Sequence, residues 1–541
     1  MEAEDDDTEV RGSASASKGP LRVTDAMVNQ WVSQITKNYD QSAFKSLITA
    51  FRWAVQPPSS GAHSGPVYKI ESDSVYQKVV TEAMRCTPLY LRHRMPLDIP
   101  YSHEPTTKPT HNESKLRDLM SSGKGNKADR NLLRSYLWTW LHLCENTHDS
   151  GMIRFILQEA RPMLHYFLSI KSAQRFVLRV LYEFASVNAP DEAVQVAAFM
   201  LLRQIVMEFP RQFYEPVCKS VYVWFTRAAK NLTPHTLGAI NLMAQFGVEL
   251  YGINRTLGYQ LAFSYLRQLA IHLRNARTAE SREAVLTIYN WQFISCLRFW
   301  TDVLASHAEP EPEALIGVVQ PTQRAIRADL RSLIYPLAQL INGTARLNSN
   351  YYYFPLRFHC VRMMNQLARA TGTFIPTGGL LLDVLYHPEM SRKVHTVSKK
   401  PMDFNFVLKA PEEYERTLAY VVGCLEQTND LAVEHLYTHA KNIAFPEMSG
   451  TLIAELKRFI RKRKLVRYEK SVEGLLRALK KHRQFIETER SARSWTPKDF
   501  TAVKTFLATT PVEQTPFGEF YKSYSSVKRM QIEAIQMSET K

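Results

Sequence analysis

Along most of the chain, apolar residues recur at steps of three and four, and period-two alternation is scarce. That rhythm predicts amphipathic helices rather than strands. It is clearest between Pro190 and Ala228. Asp191 and Glu192 follow Pro190 as an acidic first turn, which suits the positive end of a helix dipole. Val194, Ala197, Leu201 and Ile205 then form one stripe, and Pro210 is expected to end it. Phe213, Val217, Val221, Trp224 and Ala228 form the stripe of a second helix. Two such helices and a short turn within about 40 residues have the size of a HEAT or armadillo unit.

The rhythm returns further on. Thr233-Pro234 reads as a cap and a first-turn proline opening a helix that runs to Gly252. Glu280 to His307 reads as one long helical stretch rich in aromatics. Leu330, Ile334, Leu337 and Ile341 mark another stripe. After Tyr351, Tyr352 and Tyr353, Pro355 breaks the chain, and Leu356, Cys360, Met363 and Leu367 step by four, three and four. Gly372 suits a C-terminal cap, and Leu380, Leu381, Val384 and Leu385 begin the next helix. The three tyrosines are read as packing against a neighbouring unit rather than as a base-stacking platform. Arg357 and Arg362 lie about 140° apart around a helix, too far for a shared phosphate clamp. Pro411, Glu412 and Glu413 signal a helix start, and Thr496 to Asp499 a capping box. No exact repeat is present. The expected fold is all-α: a degenerate HEAT/armadillo-like helical-repeat solenoid with a helical C-terminal portion.

Five segments are expected. Residues 1–22 form a disordered acidic tail, and 23–125 hold helical segments with loops. Residues 126–386 form the central array, 387–406 a basic linker, and 407–541 the C-terminal helical region. The chain carries 68 Lys and Arg against 52 Asp and Glu, a net charge of +16, which favours polyanionic or acidic partners. The six cysteines (86, 144, 218, 296, 360 and 424) are far apart and lack CxxC spacing, so neither a zinc knuckle nor a redox motif is signalled. The acidic N-terminus does not resemble a secretory signal, and the longest apolar run, Ala193 to Leu202, is short for a membrane span. A soluble intracellular protein is expected.

The motif search turns up no enzyme signature. Gly123 to Lys127 has no P-loop frame, and no GxSxG elbow occurs. His435 and His439 share a helix face, but Leu436 stands where a zincin needs Glu. No catalytic, cofactor or metal residue is assigned. The strongest charged feature lies between Glu455 and Lys470. Leu452, Leu456, Phe459 and Ile460 form an apolar stripe that should stop near Arg463, because continuing it would bury unpaired charge. A new phase runs from Leu465 through Tyr468, Val472, Leu475, Leu476 and Leu479. Lys457, Arg458, Arg461, Lys462, Arg463, Lys464 and Arg467 thus gather at the corner between two antiparallel helices. Three roles fit them: an edge contacting RNA phosphate, a nuclear import signal, or a solvated face complementing a helix dipole.

Several separated blocks resemble the nucleolar complex protein 2 family. They are Tyr353 to Pro376 (with P-L-R-x-H-C-x-R and T-G-x-F-I-P), Pro401 to Gln427, Ala444 to Lys462, and Thr515 to Tyr524. The resemblance covers about Asn126 to Arg529, and the order and spacing of the blocks fit. It implies a non-enzymatic helical-repeat factor, without cofactor, for assembly of the large ribosomal subunit. It also implies nucleolar and nucleoplasmic location, partners of the nucleolar complex protein 1 and protein 3 types, and pre-60S particles with pre-rRNA nearby. The alternative class is a HEAT-like nuclear transport receptor or adaptor. The positive charge suits such a receptor's basic cargo poorly.

Overall fold

Short polar side chains open several of the helices, each accepting from a backbone N–H of the first turn that has no partner inside the helix. Asp40, Asp149 and Asp191 cap in this way, with Oδ to the amides of Ala43 (3.3 Å), Met152 (2.8 Å) and Val194 (2.7 Å). The computed structural model describes residues 21–56, 68–96, 127–279, 281–308, 330–392, 394, 400–462, 466–492, 503 and 505–539. Residues 1–20 of the expected 1–22 tail, the Gly123–Asn126 stretch and the Thr496–Asp499 box lie outside them, while Leu21 and Arg22 form a short strand rather than the end of a disordered tail. The chain forms two compact units that divide between Ser220 and Val221.

In the first unit a two-residue parallel pair, β1 (Leu21–Arg22) and β2 (Tyr68–Lys69), is joined by α1 (Asp25–Asn38), α2 (Gln41–Val55) and α3 (Asp73–Arg94). Then come α4 (Lys127–Asn146), α5 (Ser150–Ala160), α6 (Leu164–Ser169), α7 (Lys171–Phe184) and α8 (Glu192–Glu208). The aromatic core runs through Phe44 stacked on Tyr90 at 3.9 Å, Phe51 beside Tyr136 at 5.7 Å, and Trp140 beside Phe167 at 5.1 Å. A carboxylate lies deep inside: Asp129 is 2% exposed and accepts from Tyr90 Oη and Gln41 Nε2, both at 2.8 Å. Without those donors a buried carboxylate would be costly.

Helix α9 (Pro210–Ala228) carries the chain into the second unit. Pro210 opens α9 rather than merely ending α8, which stops at Glu208. A proline needs no amide partner at a first helical position. The second unit continues with α10 (Leu237–Ile253), α11 (Arg255–Ala279), α12 (Arg282–Ile288), α13 (Trp291–His307) and α14 (Ile334–Arg346). It goes on through α15 (Phe354–Thr371), α16 (Gly378–Tyr386), the short α17 (Pro388–Ser391), α18 (Leu418–Thr438), α19 (Phe445–Lys462), α20 (Val466–Ser491) and α21 (Pro516–Glu539). Helices α10, α13, α15 and α18 pack one on the next in a row. Their neighbours α11 and α14 pack on each other, and α16 packs on α18 and α19. This is α-hairpin stacking, and the all-α, solenoid-like expectation holds.

Three expected boundaries move. The stretch from Glu280 to His307 is two helices, because Asn290 turns out of helical geometry and its Oδ1 takes the Phe293 amide at 2.8 Å, starting α13 afresh. The Thr233-Pro234 start is delayed to Leu237. Thr233 and Thr236 trade bonds, each hydroxyl accepting from the other's backbone N–H at 3.0 and 3.2 Å, and hold Pro234 in a turn. Pro411 to Glu413 yield only a single 3-10 turn. Arg416 sits at φ 51°, a left-handed residue that no helix passes through, and Thr417 caps α18 instead. The stripes themselves hold: Leu330, Ile334, Leu337, Ile341, Leu380, Leu381, Val384 and Leu385 are buried, and Gly372 ends α15 at φ 65°.

The tightest packing is around α13. Phe299 and Trp300 lie 5.0 Å apart, with Tyr222, Phe225, Tyr251 and Tyr265 around them at 5.1 to 5.8 Å. The indole Nε1 of Trp300 donates to Tyr222 Oη at 3.2 Å, which satisfies a fully buried donor. Gly247 and Gly252 of α10 leave room for Phe299 and His307, and a Cβ at either place would overlap those rings. Gly247→Ala should therefore cost roughly 1–3 kcal/mol, read as a lower urea midpoint at unchanged slope. A midpoint equal to wild type would show that α10 and α13 can separate freely.

Candidate interaction surfaces

The basic corner is built by two helices that share an apolar seam. Leu452, Ile453, Leu456 and Phe459 of α19 and Val472, Leu475, Leu479 and Ile486 of α20 are buried, and the helices pack on each other. Burying that seam turns the remaining positions outward, so Lys457, Arg458, Arg461 and Lys462 are exposed in the last turns of α19. Cations there also complement the negative end of the helix dipole. Arg458 is held only loosely, 4.0 Å from Glu455 and 6.0 Å from the centre of the Tyr386 ring. Arg477, Lys480 and Lys481 are exposed on α20. Arg463 and Lys464 fall outside the described residues, and Arg467 lies in the first turn of α20. The expected stop near Arg463 agrees with α19 ending at Lys462.

A second surface was not read from the sequence. Three consecutive helices of the row in the second unit line a groove of about 790 Å³. Each contributes polar residues four apart: Asn241 and Gln245 from α10, Arg298 and Asp302 from α13, and Arg362 and Gln366 from α15. Gln366 Nε2 donates to Asp302 Oδ1 at 2.7 Å, while burial raises the Asp302 carboxyl above its usual range. Arg362 donates to Asn405 Oδ1 at 3.4 Å and to Gln427 Oε1. Arg298 is exposed at the rim. His359 lines the same groove, and burial beside Arg362 lowers its pKa to about 4, so it is neutral near pH 7. The groove thus offers amide and guanidinium donors together with amide and carboxylate acceptors. The signal that could have revealed it is the polar pair at i and i+4 repeating on three helices.

The remaining candidates are packing residues. Tyr351 is buried, 4.8 Å from Tyr420, and its carbonyl accepts from Tyr420 Oη at 2.7 Å. Tyr353 sits edge-on to Tyr289 at 4.7 Å. Arg357 is buried beside Phe354, and Arg362 faces the groove, so the two do not form a clamp. The basic segment around residues 387–406 includes α17 and buries Met390 and Phe404. Among the described residues no group of three His, Cys, Asp or Glu is placed to hold a metal ion. No described helix is long and apolar enough to cross a membrane. All six cysteines are buried as free thiols. Burial pushes Cys86, Cys218 and Cys360 up to about 12 and Cys296 to about 11.

A row of stacked helices with an exposed cationic corner and a polar groove defines an all-α, solenoid-like protein. The model of the Noc2p family matches residues 212–524, so the chain belongs to that family. A NOC2 family protein of Schizosaccharomyces pombe is 27% identical over 97% of this chain and 71% of its own length. The nucleolar complex protein 2 of Drosophila melanogaster is 27% identical over 96% of this chain and 65% of its own. The nucleolar complex-associated protein 2 of Arabidopsis thaliana is 27% identical over 89% and 59%, respectively. The family is nucleolar, and membership implies a part in ribosome biogenesis there.

His435 and His439 share a face of the α18 end as expected, but as core. They are 5% and 8% exposed, their rings are 5.0 Å apart, and Phe374 lies 4.9 Å from His439. Desolvation lowers both to about 4, against an ordinary value of 6.5. The neutral rings are the folded form, so their contribution is complete above pH 6.5 and is lost as pH falls from there toward 4. By pH 5 the loss should be roughly 1–2 kcal/mol per ring. The double variant H435L/H439L should therefore show a shallower fall in Tm between pH 7 and 4.5 than wild type. Parallel curves would mean the rings are not desolvated.

Proposed function

We propose that this chain is a non-enzymatic scaffold in biogenesis of the large (60S) ribosomal subunit and its rRNA processing. It binds partner assembly factors of the nucleolar complex protein 1 and protein 3 types and associates with pre-ribosomal particles. The observation that carries the reading is the corner at the end of α19, where Lys457, Arg458, Arg461 and Lys462 are all exposed in a chain of this family. Exposed cations of this density suit a phosphate backbone, since each contact releases condensed counterions. Arg463, Lys464 and Arg467 extend the same basic run in sequence.

The groove between α10, α13 and α15 is the counterpart for protein partners. Its donors and acceptors alternate, which suits a polypeptide segment better than a uniformly charged strand. Asp302 within it would repel phosphate, so the two surfaces divide the work between RNA and protein.

The test is sedimentation with large-subunit precursors over a salt series. Replacing Lys457, Arg458, Arg461, Lys462, Arg463, Lys464 and Arg467 by Glu should reduce co-sedimentation. It should also flatten the dependence of log K on log salt by about 0.7–0.9 per lost phosphate contact. Circular dichroism checks that the variant keeps its helical content, and the four-residue variant K457E/R458E/R461E/K462E, changed at exposed positions only, should show the same direction of effect. Unchanged co-sedimentation at every salt concentration would end the RNA-facing part of the proposal.

A further inference from the structure

Beside the cationic corner stands an aromatic ring that the fold does not use. Tyr386 ends α16, one step past the buried stripe of Leu381, Val384 and Leu385, and it is 46% exposed. Its hydroxyl has no hydrogen-bond partner among the described residues. Helix α16 packs on α19, and this brings the guanidinium of Arg458 over the ring, 6.0 Å from its centre. That distance is the outer limit of a cation–π contact. Arg458, whose side chain is 75% exposed, therefore leaves most of the ring face open to solvent.

Cations flank this ring in two ways. In space, Lys457, Arg461 and Lys462 continue the exposed run around Arg458 on α19. In sequence, Arg392, Lys393, Lys399 and Lys400 follow Tyr386 in the basic segment 387–406, and of these Arg392 and Lys400 are exposed. The carboxylates nearby each have a cation beside them. Glu389 meets Arg392 at 2.6 Å and Arg416 at 3.0 Å, Glu455 lies 4.0 Å from Arg458, and Asp383 attracts the buried cation of Arg357. The surface around the ring is net cationic, with one open aromatic face among its charges.

We infer that this corner takes single-stranded RNA, with one base laid on the ring of Tyr386 and the flanking phosphates held by Arg458 and its cationic neighbours. This rests on the reading of the corner as a phosphate-contacting edge, and adds which form of RNA it admits. A cationic track with an aromatic platform suits a single strand, because every base has a face to stack while its phosphates meet the charges. A duplex offers the same phosphates, but its bases are stacked on one another and present no face to Tyr386. An acidic polypeptide would match the charge and leave the ring unused.

The test titrates the full chain against labelled U12 and against a labelled RNA duplex of the same length, by fluorescence anisotropy over a salt series. Y386A should weaken U12 binding at least fivefold and duplex binding less than twofold. The slope of log K against log salt should stay the same, since no phosphate contact is lost. Y386F keeps the ring and should match wild type. In Y386W the emission gained over wild type should be quenched by U12 and not by the duplex. K457E/R458E/R461E/K462E should instead weaken both ligands and flatten both slopes. If these charge changes act on both ligands while Y386A acts on neither, or on both alike, the corner binds phosphate and the stacking inference falls alone. If the charge changes alter neither ligand, the reading of the corner falls and the inference with it. A ten-residue polyglutamate peptide that binds as tightly as U12 and is weakened equally by Y386A also overturns it. Should Y386A lower Tm, the Y386W signal decides: quenching by U12 supports stacking, and its absence overturns it.

Discussion

The second unit depends on how closely α10 can approach α13, and that approach depends on two side chains that are not there. Gly247 admits the Phe299 ring, and Gly252 admits His307, whose Nε2 lies 2.7 Å from the Val248 carbonyl oxygen. With the helices this near, Phe299 and Trp300 bury completely and gather tyrosines from α9, α10 and α11. The polar residues on the remaining face are thereby set side by side with those of α15. The groove is a by-product of the close packing behind it. Phe404 seated against Gly423 repeats the device further along, where a loop rather than a helix is drawn onto α18.

Helix identity was legible because each stripe is a local property. Val194, Leu201 and Ile205, or Leu380 to Leu385, bury as their spacing requires. Starts were less legible, since a cap is one side chain choosing one amide. Asn290 interrupts no apolar rhythm, yet it divides a helix in two. The cationic corner could be read because its charges are adjacent in sequence and the apolar stripe on each side stops in the right place. The groove could not, because Gln245, Asp302 and Gln366 come together only once α10, α13 and α15 have stacked across more than a hundred residues.

Charge is used differently in the two units. In the corner of α19 and α20 cations stand in water beside an apolar seam, where they cost little and remain available to a polyanion. Around Asp129 the charge is inward and fully supplied with donors, so it orients α2, α3 and α4 rather than recruiting anything. The same residue chemistry yields an adhesive surface in one case and a locating pin in the other. Burial decides between them.

The six thiols have a consequence for how this molecule lives and dies. Folded, each is sealed in apolar surroundings that disfavour its reactive anion, so an oxidant meets an inert protein. Unfolded, all six reach water at once with ordinary acidity and can cross-link within or between chains. The native state therefore acts as its own antioxidant, and damage to one unit threatens recovery of the whole polypeptide.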